Sequence, residues 1–314
     1  MQILISFAIQ MNIIEEINKK YRSQGHDPDV FLQGLFYSRP LAYWDYIELD
    51  TLLTLQKPRT NFPDEKVFII YHQAIELFMH LIIHELEQLL EHSEPSHEFV
   101  DDKLKRILNY LNILQNTFTV MNEGMEFKQY SAFRLALAPS SGFQSVQYRI
   151  IEIMATAPKN LLHRDKRNDD INLNDPENFY DSLYWREAGI DKTTGMPGVM
   201  LKCFDEKYKS LLCELFRRWS GRTLFHWAFH RNSLGKLSAA HRIKLKEIDY
   251  VFNVSWPLTH LRTAYKYLVG TEGEPIKGTG ASHWHDYLHP AHQKRIFFPF
   301  LFTQEELENW GKEI

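Results

Sequence analysis

Two cysteines in 314 residues, Cys203 and Cys213, allow at most one internal disulfide, and neither sits in a CxxC pair. A disulfide scaffold is excluded, and a reducing, cytoplasmic setting is expected. No uninterrupted apolar run reaches the about 20 residues needed for a membrane span, so none is expected. The apolar opening Met1–Ile9 lacks a leading positive charge, which argues against a signal peptide. Charge of one sign is also missing: 36 Lys+Arg stand against 40 Asp+Glu, a net charge of −4. No cation excess exists to hold a nucleic acid backbone. Gly278-Thr279-Gly280 is not set in a GxxxxGK[ST] phosphate loop. Disorder is excluded in turn, because 44% of residues are hydrophobic and 14% aromatic.

Where the chain is periodic, the period is helical. Phe62 to Leu90 is the strongest segment, opening with Pro63-Asp64-Glu65 and repeating apolar residues at Phe68, Ile75, Met79, Ile82 and Leu86. Further helices are expected over 10–22, 101–120, 127–136, 143–154, 201–219, 236–250 and 257–268. Residues 157–200 are rich in Asn, Asp, Gly and Pro and read as a loop-rich insertion. Without an internal repeat or a linker, residues 1–314 are expected to form one all-α, bundle-like domain.

Several side chains could carry chemistry. His72 shares a helix face with Phe68, Ile75 and Met79. It is either a hydrogen-bonded core residue or a base facing an enclosed ligand. His80 and His84 have a metal-pair spacing but lie on the polar half of the same helix, which suits surface residues. His260 follows Trp256 by one turn and can share its face with Ala264 and Tyr267 if a helix starts at Pro257. Such an imidazole could hold a haem from one side. Tyr130 and Arg134 are also one turn apart. A partly buried Arg134 needs an anion, either an internal carboxylate or that of a ligand. Pro139-Ser140-Ser141-Gly142-Phe143-Gln144-Ser145 either caps the next helix or lends polar groups to a ligand. His283, His285, His289 and His292 crowd together without a recognised zinc spacing.

Five segments in order resemble the tryptophan 2,3-dioxygenase family. They are Tyr43-Trp44-Asp45-Tyr46-Ile47-Glu48-Leu49-Asp50; Phe68-Ile69-Ile70-Tyr71-His72-Gln73-Ala74-Ile75-Glu76-Leu77; Tyr130 to Arg134 running into Pro139 to Arg149; Trp256 with His260; and Gly278-Thr279-Gly280 with Phe297-Phe298-Pro299. The resemblance implies an α-helical homotetramer carrying haem b and using O₂ as co-substrate. Its reaction would insert oxygen across the indole C2–C3 bond of L-tryptophan to give N-formylkynurenine. By the same resemblance, His260 would be the proximal iron ligand and His72 the distal histidine near the indole nitrogen. Arg134 would bind the substrate carboxylate. Phe68, Tyr130, Tyr43, Tyr46 and Ile47 would enclose the ring, with Trp256 beside the haem. Ser141 and Thr279 would add polar contacts, and an arm within residues 1–60 would reach a neighbouring subunit.

The chain departs from the family pattern in places. Ala281-Ser282 follows the glycine turn, Phe78 stands where tryptophan is common, and Lys266 where arginine is common. Two further readings therefore stay open: a related haem-dependent aromatic oxygenase acting on tyrosine or an indole derivative, and a non-catalytic haem sensor.

Overall fold

The computed structural model describes residues 2–137, 144–169, 171–191, 194–268 and 289–312. Their regular structure is helical. The only β pairing among the described residues is two isolated bridges, Leu162 with Leu183 and Ile190 with Pro197. Contacts divide the chain into Met1–Leu55 and Gln56–Ile314.

The first unit contains α1 (Gln2–Ser23), α2 (Pro28–Tyr37), α3 (Tyr43–Tyr46) and α4 (Leu49–Leu52). The helix expected over 10–22 therefore begins near the chain start. Asp27 caps α2 by accepting from the Asp29 N–H at 3.1 Å, and Pro28 occupies the first helical position, where an N–H has no helical partner anyway. Tyr21 stacks on Phe31 at 4.2 Å and joins α1 to α2. Beyond that contact this unit keeps large apolar side chains exposed, among them Phe36, Tyr37, Tyr43, Trp44 and Tyr46.

The second unit is built on α5 (Pro63–Glu91). By length and composition alone α5 could cross a membrane. In the fold it is a core helix instead: Ile75, Met79, Ile82, Ile83, Leu86 and Leu89 are buried, and α6 (His97–Asn116) and α9 (Val146–Ala155) pack on it. Ser96 caps α6 by accepting from the Phe99 N–H at 3.2 Å. Leu104, Ile107, Leu111 and Leu114 repeat at helical spacing along its buried face. Each such side chain contributes about 1.5–3 kcal/mol by leaving water.

The helix expected over 101–120 is interrupted: α6 ends at Asn116, and α7 (Phe118–Gly124) follows after Thr117. Thr117 turns its hydroxyl back to the Leu114 carbonyl at 2.7 Å, a local bond that competes with the helical ladder. Next come α8 (Phe127–Phe133) and a 3-10 turn over Arg134–Leu137. Among its described residues up to Gly198, the stretch 157–200 has α10 (Pro176–Asp181) and 3-10 turns as its helical elements, yet buries Leu161, Leu162, Phe179, Tyr180, Leu183, Tyr184 and Trp185 in the main core. The rest comprises α11 (Val199–Trp219), α12 (Leu224–Ser233), α13 (Ala239–Tyr250) and α14 (Trp256–Leu268). α12 has no sequence signature because only Leu224 and Ala228 are buried on it.

Two buried polar clusters tie distant segments together. Arg149 and Arg295 converge on Glu152 and the Tyr184 hydroxyl, with Arg149 Nη1 at 2.7 Å from Glu152 Oε2 and Arg295 Nη1 at 2.7 Å from the Tyr184 oxygen. Asp249, with no exposed surface, accepts from the N–H groups of Phe297 and Phe298 at 2.9 and 2.8 Å and from Asn253 Nδ2 at 2.8 Å. Burial pushes the Asp249 carboxyl up to about 7, against the lowering effect of these three donors.

Candidate functional site

One wall of the site is carried by α5. Phe68 and His72 lie one turn apart with ring centroids 4.0 Å apart. His72 Nδ1 lies 2.7 Å from the Phe68 carbonyl oxygen. A carbonyl can only accept, so this contact assigns the proton to Nδ1 and leaves the Nε2 lone pair for a donor in the site. Burial lowers the His72 pKa, with the Phe68 carbonyl opposing that shift, so the neutral ring is favoured. The same ring retains accessible surface. Both facts hold together for a side chain lining a recess rather than filling a core. One turn further on, Glu76 bonds to Ser145, the residue that caps α9, and burial raises its carboxyl pKa.

A second wall comes from α8 and the turn after it. Tyr130 lies 6.1 Å from Phe68 and 4.8 Å from Tyr267 of α14, while Phe133 meets Phe68 edge-on at 5.9 Å. Arg134 follows one turn later, 8% exposed, close enough for its charge to oppose the burial-driven rise in the Tyr130 pKa. Phe68, His72 and Tyr130 are thus neighbours, with Arg134 beside the tyrosine.

A third wall is set by an irregular turn. α13 continues into a π-helical turn over Val251–Ser255 and then into α14. The sequence suggested a helix start at Pro257. Instead the proline sits inside a continuous helical run, next to a turn whose hydrogen bonds have already changed register, where its missing N–H is tolerated. Gln115 of α6 donates to Ser255 Oγ at 3.1 Å and to Thr259 Oγ1 at 3.0 Å, holding the turn from outside. Trp256 and His260 then present parallel rings, 5.7 Å apart and 3° from coplanar in orientation. Phe118 packs against both.

His260 Nδ1 is buried with no hydrogen-bond partner. Desolvation, with a smaller contribution from His72, holds its pKa down at about 4. Tyr71 meets His72 edge-on at 5.1 Å and Phe118 at 6.1 Å, and Phe118 lies 6.1 Å from His260, so a run of aromatic rings joins the imidazole of α5 to that of α14. A neutral imidazole flanked by flat aromatic rings is the donor chemistry a haem iron takes from a protein. Among the described residues no three His, Cys, Asp or Glu side chains converge as a metal cage. A haem iron needs only one histidine, and these residues fit it.

Comparison with known proteins bears on the same segments. The family model described as tryptophan 2,3-dioxygenase matches residues 34–212. The chain belongs to the tryptophan 2,3-dioxygenase family. It is 37% identical over 138 residues to the tryptophan 2,3-dioxygenase of Ruegeria pomeroyi, covering 42% of this chain and 48% of that protein. It is 40% identical over 121 residues to that of an Anaeromyxobacter species, covering 38% and 44%. With the enzyme of Bradyrhizobium diazoefficiens the identity is 39% over 138 residues, covering 42% and 47%. The chain spans about half the length of the curated relatives it matches. The matched region of the family includes Phe68, His72, Tyr130 and Arg134 but ends before Trp256 and His260.

The remaining expected site residues are placed as follows. Tyr43, Tyr46 and Ile47 lie in the first unit, with Tyr43 and Tyr46 largely exposed. Ser141 and Thr279 lie outside the described residues, as do His283 and His285. His289 caps the short helix Pro290–Gln293 and meets His292 edge-on. His80 and His84 are exposed on α5. Sequence reasoning missed Phe118 and Gln115, which brace the His260 wall. An unbroken helix over 101–120 was expected, and the break at Thr117 that precedes Phe118 emerges only in the fold.

Proposed function

We propose that this chain is a haem-dependent dioxygenase acting on L-tryptophan, with His260 as the iron ligand. The reading is supported by one arrangement: two histidines from separate helices, His72 and His260, joined through the aromatic rings of Tyr71 and Phe118, with Phe68 and Tyr130 beside the first and Trp256 parallel to the second. Bound haem would supply the oxygen and electron chemistry.

The chain's own residues do the rest. His260, neutral because it is desolvated, offers a lone pair without first losing a proton. Trp256 stacks parallel to it and limits rotation of the ring. His72 keeps its proton on Nδ1 against the Phe68 carbonyl, so Nε2 accepts the indole N–H of the substrate. The guanidinium of Arg134 takes the amino acid carboxylate. Phe68 and Tyr130 enclose the ring between these ends and exclude water, which fixes the ring atoms that react.

We further propose a homotetramer in a cytoplasmic setting. Support for the oligomer comes from uncovered apolar surface: the aromatic segment around Phe36–Tyr46 in one unit, and Ile70, Leu77 and Leu81 along α5 in the other. Residues 1–60 would then act as an arm that completes a neighbour's site.

The deciding experiment gives the haem-loaded, reduced protein L-tryptophan and O₂ and follows N-formylkynurenine by absorbance and mass. Product with both oxygen atoms from labelled O₂ supports the assignment. Turnover of tyrosine or an indole derivative alone would move it to the related aromatic oxygenases. Haem binding without any turnover would leave a sensor.

A further inference from the structure

The first turn of α5 holds both ends of the segment that carries Tyr130 and Arg134. Asp64 works on the leading end. Its Oδ2 accepts from the Glu126 N–H at 2.7 Å, and its own N–H donates to Gln129 Oε1 at 3.1 Å. Gln129 Nε2 donates in turn to Glu126 Oε2 at 3.3 Å, closing a small ring of bonds at the start of α8.

Glu65 works on the trailing end. It is 1% exposed, and its carboxylate accepts from the N–H groups of Arg59 and Thr60, both at 2.7 Å, and from the Thr60 hydroxyl. Burial alone would raise its pKa, yet these donors and the Arg59 charge hold it below the ordinary carboxylate value. The segment so gripped aims Arg59, whose Nη1 donates to the Ala136 carbonyl at 3.2 Å. Ala136 lies two residues past Arg134, in the same 3-10 turn.

A 3-10 turn has weak hydrogen bonds of its own and needs outside support to keep one shape. Here that support comes from the helix that bears His72, seven residues or about 10 Å along the axis from Glu65. We infer that Glu65, acting through Arg59, is a positioning residue that sets the span between Arg134 and His72, and so selects the length of the amino acid that fits. This rests on the carboxylate role of Arg134 proposed above. It adds a specificity device outside the site: the helix that presents the ring acceptor also gauges the distance to the carboxylate clamp.

The test compares equilibrium binding of L-tryptophan and of indole to the haem-loaded protein, by calorimetry, with steady-state kcat and KM alongside. Indole has no carboxylate and does not sense the span. Arg59→Ala removes the bond to Ala136 and leaves the Glu65 loop intact. It should weaken L-tryptophan about three- to tenfold, the cost of one misplaced hydrogen bond. Indole affinity should stay within about twofold, KM should rise more than kcat falls, and Arg59→Lys should restore part of the loss. Glu65→Gln turns one acceptor oxygen into a donor facing other donors, and should weaken L-tryptophan about tenfold or more. If Glu65→Gln does not fold, the exposed Arg59 variants still carry the test.

Equal losses for L-tryptophan and indole, or no loss for either, would overturn the positioning role. Arg134→Leu is measured in parallel. If it abolishes the preference for L-tryptophan while the Arg59 and Glu65 variants keep it, only the gauge is wrong. If Arg134→Leu also keeps the preference, the carboxylate reading falls and the gauge with it.

Discussion

The two histidine walls are made in opposite ways. His72 sits in mid-helix, its ring fixed by a bond to the carbonyl one turn back, within a regular 29-residue helix. His260 sits just after a π-helical turn and depends on Gln115, Phe118 and Trp256 from outside its own turn. One wall is local and the other is tertiary. The lesson is that a site can be half-determined by a single helix while its other half exists only once the core has formed.

The contrast is sharpest at His260, the proposed iron ligand. His260→Ala should abolish the five-coordinate, histidine-ligated haem spectrum; an unchanged iron–histidine resonance Raman band would remove His260 from the role. The corresponding change in the other wall, His72→Ala, should leave that band in place.

Next in size is the proposed carboxylate clamp. Arg134→Leu should cost L-tryptophan binding about 2–5 kcal/mol, as for loss of a buried charge-assisted pair. Calorimetry with indole as the control checks that the loss belongs to the carboxylate.

The tertiary wall should also answer to pH. The folded Asp249 carboxyl has its pKa raised from 3.8 to about 7, so between those values the folded state keeps a proton that the unfolded chain releases. Its stabilising contribution is full below about pH 4 and is lost as pH rises through about 7. The span is about 4 kcal/mol at most. Thermal unfolding from pH 4 to 8 should therefore show a steeper fall for the parent chain than for Asp249→Asn. Parallel curves would mean that Asp249 titrates normally.

The smallest expected effect is at the brace. Gln115→Leu removes two hydrogen bonds to the turn and should lower stability by about 1–2 kcal/mol. Denaturant unfolding measures this, and haem affinity should fall with it. A stability loss without any change in haem affinity would show that the turn holds its shape unaided.

Much of the local wall was legible beforehand. Pro63-Asp64-Glu65 announced the start of α5, and its periodicity put Phe68, His72 and Ile75 on neighbouring positions. Tyr130 and Arg134 followed from i, i+4 spacing. The tertiary wall was legible only in part: spacing put Trp256 and His260 on one face, and resemblance supplied the role. Periodicity assumes a constant 3.6 residues per turn, and Val251–Ser255 breaks that assumption without any glycine or proline inside it. The stretch 157–200 was opaque for a related reason: 3-10 turns bury Tyr184 and Trp185 without a repeating pattern to reveal them. The Asp249 clamp joins residues 48 and 49 positions apart, a distance no spacing rule reaches.

The widened turn at Val251–Ser255 has an evolutionary consequence. A π-helical turn accommodates one residue more than an α-helical path would, which rotates everything after it by about 100° around the axis. Removing a single codon there would leave Trp256, His260 and Phe118 intact while swinging His260 about a quarter-turn away. A descendant could lose the proposed iron ligand by that one deletion, with each of these residues still present in its sequence.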